Sequence, residues 1–340
     1  MRQLPQEITP IQIIGTQRSG SNLLRLILNQ APEISAHHPP HILKVFFPIL
    51  DQYSDLSEPE NFKRLIHDVC RLIETNPVPW NLTLDREAIF TLCEKPTLVE
   101  VFKVVYELMA QSDGASFWCC KSMANVTYFE ALEANNLNPL YIHLIRDGRD
   151  IAASFKKTLV GEKHVYHLAQ VWKNNYQKAK RVENQVGIAR CLTIQYEQLI
   201  SAPAEVLNQI NAFLGIQIDD SALEFFNSEE SKATAAAGTM WQNLTQPILS
   251  GNTKKFMSAF TPEEIAVFER VAGVELEACG YARVTPPNNV PFTPEEIETF
   301  NALNDSMKRE VQQAGELEVD RLCRIQRNAL LNELHASSKD

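Results

Sequence analysis

Apolar residues along this chain alternate between two periods. Short runs at 11–14 (I-Q-I-I), 116–120 (S-F-W-C-C), 140–145 (L-Y-I-H-L-I) and 191–196 (C-L-T-I-Q-Y) have the length and the β-branched or aromatic content of strands. Between them the apolar positions spread out to helical spacing. Leu23, Leu24, Ile27 and Leu28 follow the first run, and Ile151, Ala152 and Phe155 follow the run at 140–145. Longer periodic stretches at about 60–76, 98–111, 125–135, 164–186, 203–214 and 262–279 predict further helices. Strands alternating with helices predict an α/β fold in three layers, a central parallel sheet flanked by helices on both faces.

At 285–291 the pattern stops, and T-P-P-N-N-V-P suits extended or turn backbone, which predicts a linker. Beyond it, 293–336 reads as two charged amphipathic helices, the first opened by Thr293, Pro294 and Glu296 at capping-box spacing. The chain therefore divides into an α/β domain over 1–284 and a linker with a C-terminal helical extension over 285–340. Charged helices of this kind usually present solvated faces. The extension is expected to carry no chemistry of its own, and either to pack on the domain or to pair two copies as a homo-oligomer.

Composition narrows the classes. Of 340 residues, 44% are hydrophobic and 22% charged, the balance of an ordinary globular protein rather than a disordered or fibrous one. The net charge of −10 argues against a broad nucleic-acid surface and still permits a local basic pocket. The N-terminus has no charged-then-apolar leader pattern, and no run of about 18 apolar residues occurs, so a cytoplasmic protein without a membrane span is expected. Seven scattered cysteines without a C-x-x-C pair read as reduced thiols, with no metal site.

The chemistry concentrates in two turns. The first run ends in G-T-Q-R-S-G-S-N-L-L-R, residues 15–25. A glycine-bounded turn entering a helix gathers free backbone N–H groups at the positive end of the helix dipole, which suits a phosphate. Gly15 and Gly20 have the spacing of a nucleotide-binding P-loop, so the domain is expected to be of the P-loop type. Ser21 and Asn22 stand where a nucleotide triphosphatase has Lys and then Ser or Thr for the terminal phosphates and Mg²⁺. The positive charge has moved into the loop, to Arg18, which suits a smaller anionic load held by side-chain cations. In the second turn, R-D-G-R-D follows the run at 140–145, with Arg146 at the strand end and Ser154 eight residues on. If the turn folds back, the paired guanidinium donors and the hydroxyl converge on one anion. Each motif alone is also an ordinary strand-to-helix turn; as a pair they predict two anion pockets for one ligand.

These two segments resemble the 5′-phosphosulfate loop and the 3′-phosphate motif of sulfotransferases that use 3′-phosphoadenosine 5′-phosphosulfate (PAPS), and the similarity extends loosely over about residues 10–284. Arginine at position 18 is similar to the tyrosylprotein branch and many bacterial members, where the cytosolic branch has lysine. The resemblance implies metal-independent, in-line sulfuryl transfer from PAPS to an acceptor hydroxyl or amine. It implies that Gln17, Arg18, Ser19, Gly20, Ser21 and Asn22 cradle the 5′-phosphosulfate, and that Arg146 and Ser154 hold the 3′-phosphate. W-C-C-K-S at 118–122 is similar to the strand end that bears a catalytic lysine, here Lys121. Q-Y-E-Q-L at 195–199 resembles the family's R-Y-E-D-L, whose tyrosine, here Tyr196, lies near the adenine. N-T-K-K-F at 252–256 resembles the closing part of the domain, where a lysine, here Lys254 or Lys255, reaches the cofactor.

One position departs from the family. Cytosolic members have histidine two residues after the catalytic lysine, and this chain has Met123. Where the tyrosylprotein branch carries its glutamate base, this chain reads S-A-H-H-P-P-H, so the base is reassigned to a histidine, His38 first and then His41. Histidine titrates near neutrality and suits removal of a hydroxyl proton. His37 is the third member of the cluster. Segments 42–112 and 225–250 are expected to build the acceptor pocket, with Phe46, Phe47, Trp80 and Trp241 as either its walls or ordinary core. Small-molecule, glycan, lipid and peptide acceptors all remain open. So do a nucleotide-dependent kinase, which would need Mg²⁺, and a non-catalytic nucleotide-binding or assembly module.

Overall fold

The computed structural model describes residues 8–156, 158, 159, 161–288, 290–315 and 318–336. The N-terminal segment read for a leader lies outside them through residue 7, as does Asn289 of the linker. Five strands, β1 (Thr9–Gly15), β2 (Ile34–Ser35), β3 (Phe117–Cys120), β4 (Leu140–Ile145) and β5 (Cys191–Gln195), form one sheet in the order β2-β3-β1-β4-β5. Every neighbouring pair is parallel. Four of the strands are the four apolar runs. The two residues of β2 are too few to show a period, and the segment is held by the backbone of Ser116 and Phe117 donating to the Glu33 carbonyl.

The central strand explains the layering. On β1, Ile11 and Ile13 pack into a cluster with Leu23, Leu24 and Ile27 of α1 (Ser21–Leu28), whereas Ile14 packs with Ala179 and Val182 of the helix Val165–Val186. Alternate residues thus face opposite helical layers, as the period of a strand requires. The helices at Pro59–Glu74, Leu98–Asp113, Pro203–Leu214 and Pro262–Ala278 fall on the expected stretches. The helix expected over 125–135 is instead a 3₁₀ segment, Met123–Tyr128, that runs into a short helix, Phe129–Ala134.

The C-terminal extension lies on the domain. Its first helix, Pro294–Ala314, begins with the expected capping box at Thr293 and Glu296, and Asn304 accepts hydrogen bonds from the backbone of Lys163 and His164. The last helix, Glu318–Ala336, buries Leu330 and Leu334 in the same cluster as Trp80, Phe102 and Trp118. Its Glu333 takes both terminal nitrogens of Arg71 at 2.7 Å. Among the described residues no helix is long and apolar enough to cross a membrane. All seven cysteines are free thiols.

Candidate active site

Because the sheet is parallel, all its strands deliver their carboxyl ends to one edge, and in open α/β sheets a ligand crevice forms there. Each strand here supplies a side chain to that crevice just past its end: Arg18 after β1, His38 after β2, Lys121 after β3, Arg146 after β4 and Tyr196 after β5. The crevice is a cleft of about 880 Å³.

The loop after β1 is shaped by glycine. Gly20 has φ +88°, and a Cβ there would stand 2.5 Å from the Tyr196 ring, so the loop closes onto that tyrosine only without a side chain. Arg18 itself holds φ 74°. No side chain caps the N-terminus of α1 and its first turn has no acidic residue, which leaves its N–H groups and the dipole to an anion. Asn22, in that turn, has a buried Oδ1 with no partner among the described residues.

The two expected anion pockets meet. Arg146 donates from Nη1 to the Arg18 carbonyl at 2.9 Å and from Nη2 to the Asn252 carbonyl at 3.0 Å. Its guanidinium lies 4.2 Å from the Tyr196 ring centroid, a cation–π contact, and its Nε is buried without a partner among the described residues. Arg18 in turn donates from Nε to Ser154 Oγ at 3.0 Å. Burial, and then the charge of Arg146, lower the Arg18 pKa. Two guanidiniums that line one cleft and feel each other's charge form a site for negative charge.

Some expected contributors stand elsewhere. Ser19 is fully buried and its hydroxyl donates to the Thr16 carbonyl at 2.7 Å, so that side chain shapes the turn. Lys254 and Lys255 are exposed and do not line the cleft. The same segment contributes through Asn252, whose Nδ2 donates to the Tyr196 hydroxyl at 2.6 Å. Arg149, three residues after Arg146, is turned away into a buried network with Asp147 and Glu269.

Opposite the loop, Lys121 is buried and its pKa is pushed down to about 7, first by burial and then by the charges of Arg25 and Arg18. Ser122 follows it, and Ser122 Oγ lies 2.7 Å from His41 Nδ1, which fixes the plane of that ring. Burial and then the charge of Lys121 hold both His38 and His41 well below the usual imidazole pKa, so both are neutral at pH 7. His38 is 4% exposed and neither of its ring nitrogens has surface or a partner among the described residues; its carbonyl accepts from Asn76 and Trp80. His37 is outside the cleft, bonded to Asp113 at 2.8 Å.

Of the four aromatic residues, Trp241 lines the cleft, its ring 5.2 Å from that of His38. Phe46 and Trp80 are core, and Phe47 stacks on Tyr128. Sequence reasoning gave no role to Arg25, which is fully buried and joins α1 to the Ala36 carbonyl, Glu230 and Thr234, fixing the start of the histidine segment. Its only signal was a charged residue on an apolar helix face. The last helix also borders the cleft through Arg324, Arg327 and Leu331, a contribution that its charged, surface-like pattern concealed.

A family model described as the sulfotransferase family matches residues 10–220, well over half of the chain. Among solved structures, the sulfotransferase domain of the Synechococcus PCC 7002 olefin synthase is similar at 20% identity and a TM-score of 0.56, covering 83% of this chain and 97% of that domain. The sulfotransferase domain from the curacin biosynthetic pathway is similar at 20% identity and 0.55, covering 81% and 98%. No curated protein sequence matches. At this identity the two structures speak for the fold, and the family match carries the assignment: the chain belongs to the sulfotransferase family.

Proposed function

We propose that this protein transfers the sulfuryl group of PAPS to a hydroxyl or amine of its acceptor. The observation that carries the reading is the direct link between the two anion-binding turns, Arg146 to the Arg18 carbonyl and Arg18 to Ser154, beside an uncapped helix N-terminus. The residues present fit the donor. The first turn of α1 with Gln17, Arg18, Ser21 and Asn22 would take the phosphosulfate, Arg146 with Ser154 the 3′-phosphate, and Tyr196 with Asn252 the nucleoside side. The unpartnered Arg146 Nε is an N–H donor, the kind of group an anion satisfies.

PAPS supplies an activated sulfuryl group and a bisphosphate leaving group. Lys121 would face the charge that gathers on that leaving group, and a nearby anion would raise its pKa from about 7, so the lysine would hold a proton there when it is needed. His41, neutral and oriented by Ser122, takes the proton of the acceptor. His38, with no exposed ring nitrogen, shapes the wall beside it. The sequence ranking, His38 before His41, is therefore reversed on geometric grounds. Lys254 and Lys255 stay in reserve as donor contacts, since both would have to swing in from solvent.

The test is an assay with ³⁵S-labelled PAPS across phenol, sugar, lipid, peptide and small amine or alcohol acceptors, in excess EDTA. Label transfer that EDTA does not affect is expected. Turnover of ATP with Mg²⁺ in place of PAPS would favour the kinase instead.

A further inference from the structure

Positive charge in the cleft is not confined to the residues proposed for the donor. Among the described residues, six cationic side chains line it, Arg18, Lys44, Lys121, Arg146, Arg324 and Arg327, against one carboxylate, Asp320. Asp320 is already engaged, accepting from the Thr239 backbone at 2.8 Å and its hydroxyl at 2.9 Å. This imbalance occurs in a chain whose net charge is −10, so it is local. Arg18, Lys121 and Arg146 are proposed for the donor, which leaves Lys44, Arg324 and Arg327 on the other wall, Arg324 with an interaction of its own.

Arg327 is the most constrained of these three. Its Nη2 donates to the Pro40 carbonyl at 2.6 Å, one residue before His41, so the guanidinium is fixed beside the base. Its Nη1 is buried and has no partner among the described residues. The helix that bears it cannot easily turn away, because Leu330 and Leu334 are 3% and 5% exposed and Glu333 grips Arg71. Burial, and then the charge of Arg324, lower the Arg327 pKa to about 10, and no carboxylate among the described residues pairs with it. A buried guanidinium without a counter-charge is costly, and a ligand anion relieves that cost. Val45, Pro48 and Leu331 line the same cleft and offer an apolar surface next to the charge.

We infer that the acceptor carries an oxyanion of its own, a carboxylate or a phosphate on an apolar body, and that Arg327 of the C-terminal helix binds this group beside His41. Its identity as the acceptor rests on the sulfuryl-transfer reading above. The C-terminal helix is then a specificity element, supplied by a segment beyond the matched family region, which ends at residue 220. Because Arg327 sits next to the base, the anionic group and the reacting hydroxyl are close together in the acceptor.

The experiment titrates the full chain, in the presence of adenosine 3′,5′-bisphosphate, with hexanoate, hexyl phosphate and hexanol, and reads calorimetric affinity. At least one of the two anions is expected to bind saturably, one per chain, about tenfold to a hundredfold more tightly than hexanol. The stronger anion tells a carboxylate acceptor from a phosphate one. Arg327→Gln should erase the preference, and Arg327→Lys, which keeps the charge, should retain most of it. Hexanol binding as well as both anions in the wild type overturns the inference, whatever the variants do. So does a preference that persists in an Arg327→Gln protein with a cooperative, wild-type-like melt. If the bisphosphate fails to bind while the Arg327-dependent preference stands, the donor reading fails, and the anion's role as acceptor with it. If the bisphosphate binds and the preference is absent, only this inference fails.

Discussion

In the proposed reading, the donor wall of the cleft is assembled largely from the ends of parallel strands, whereas the acceptor wall comes from segments as far apart in the chain as 41–48, 239–249 and 324–335. On the donor wall, Arg18, Lys121, Arg146 and Tyr196 lie within a few positions of a strand end, and hydrogen bonding between strands fixes where that end falls; Ser154 and Asn252 are the exceptions. On the acceptor wall, side chains meet only because helices from three parts of the chain pack together. Chemistry built on backbone geometry leaves short, spaced motifs; chemistry built on packing leaves almost none.

The comparison breaks most readily at the base. His41→Ala should lower single-turnover transfer from labelled PAPS by about 10²–10⁴, the range for a general base, with bisphosphate affinity nearly unchanged. His38→Ala should cost less, because its ring nitrogens have no exposed surface. A larger loss at His38 would move the base back to the residue the sequence favoured. Lys121→Ala, on the boundary between the walls, should lower turnover by about 10²–10³ while bisphosphate binding falls less. Equal losses in both quantities would reduce Lys121 to a binding contact.

The contrast accounts for what could be read in advance. Four of the five strands, the glycine-bounded turn after β1 and the place of Arg146 at a strand end were legible because glycine spacing and apolar runs are local consequences of backbone geometry. The direction of the Ser19 hydroxyl was not legible, because a loop hydroxyl can satisfy its own turn as readily as a ligand, and here it bonds the Thr16 carbonyl at 2.7 Å. Arg25, Asn252 and Arg327 were illegible for another reason. Their partners, Glu230, Tyr196 and the Pro40 carbonyl, lie 205, 56 and 287 residues away along the chain, and no period in the sequence marks such pairs. The charged pattern of the last helix pointed to solvent, yet its apolar stripe at Leu330 and Leu334 docks it and turns Arg327 to the cleft.

A subtler effect separates the walls by pH. With Lys121 at about 7 in the free protein, an incoming anion favours its charged form, so bisphosphate binding above pH 7 should take up close to one proton. Below pH 7 the lysine is already charged and the uptake should fade. Calorimetry in buffers of different ionisation enthalpy measures this, and Lys121→Met should abolish it. In the free protein the sign is set by the unfolded chain, which binds the proton up to the ordinary lysine value of 10.5. The contribution of Lys121 to stability therefore rises with pH between about 7 and 10.5. A proton uptake that is unchanged in Lys121→Met would assign the titration to another group.

The claim on which the account depends is that Arg18 and Arg146 form one site for both ends of a single donor. Its most direct test compares the affinities of adenosine 3′,5′-bisphosphate and adenosine 5′-monophosphate for the wild type and for Arg146→Ala, in EDTA. The account predicts that the wild type prefers the bisphosphate by about tenfold to a hundredfold and that Arg146→Ala binds the two nearly alike. Equal affinities in the wild type, or a preference that survives the loss of Arg146, would contradict it.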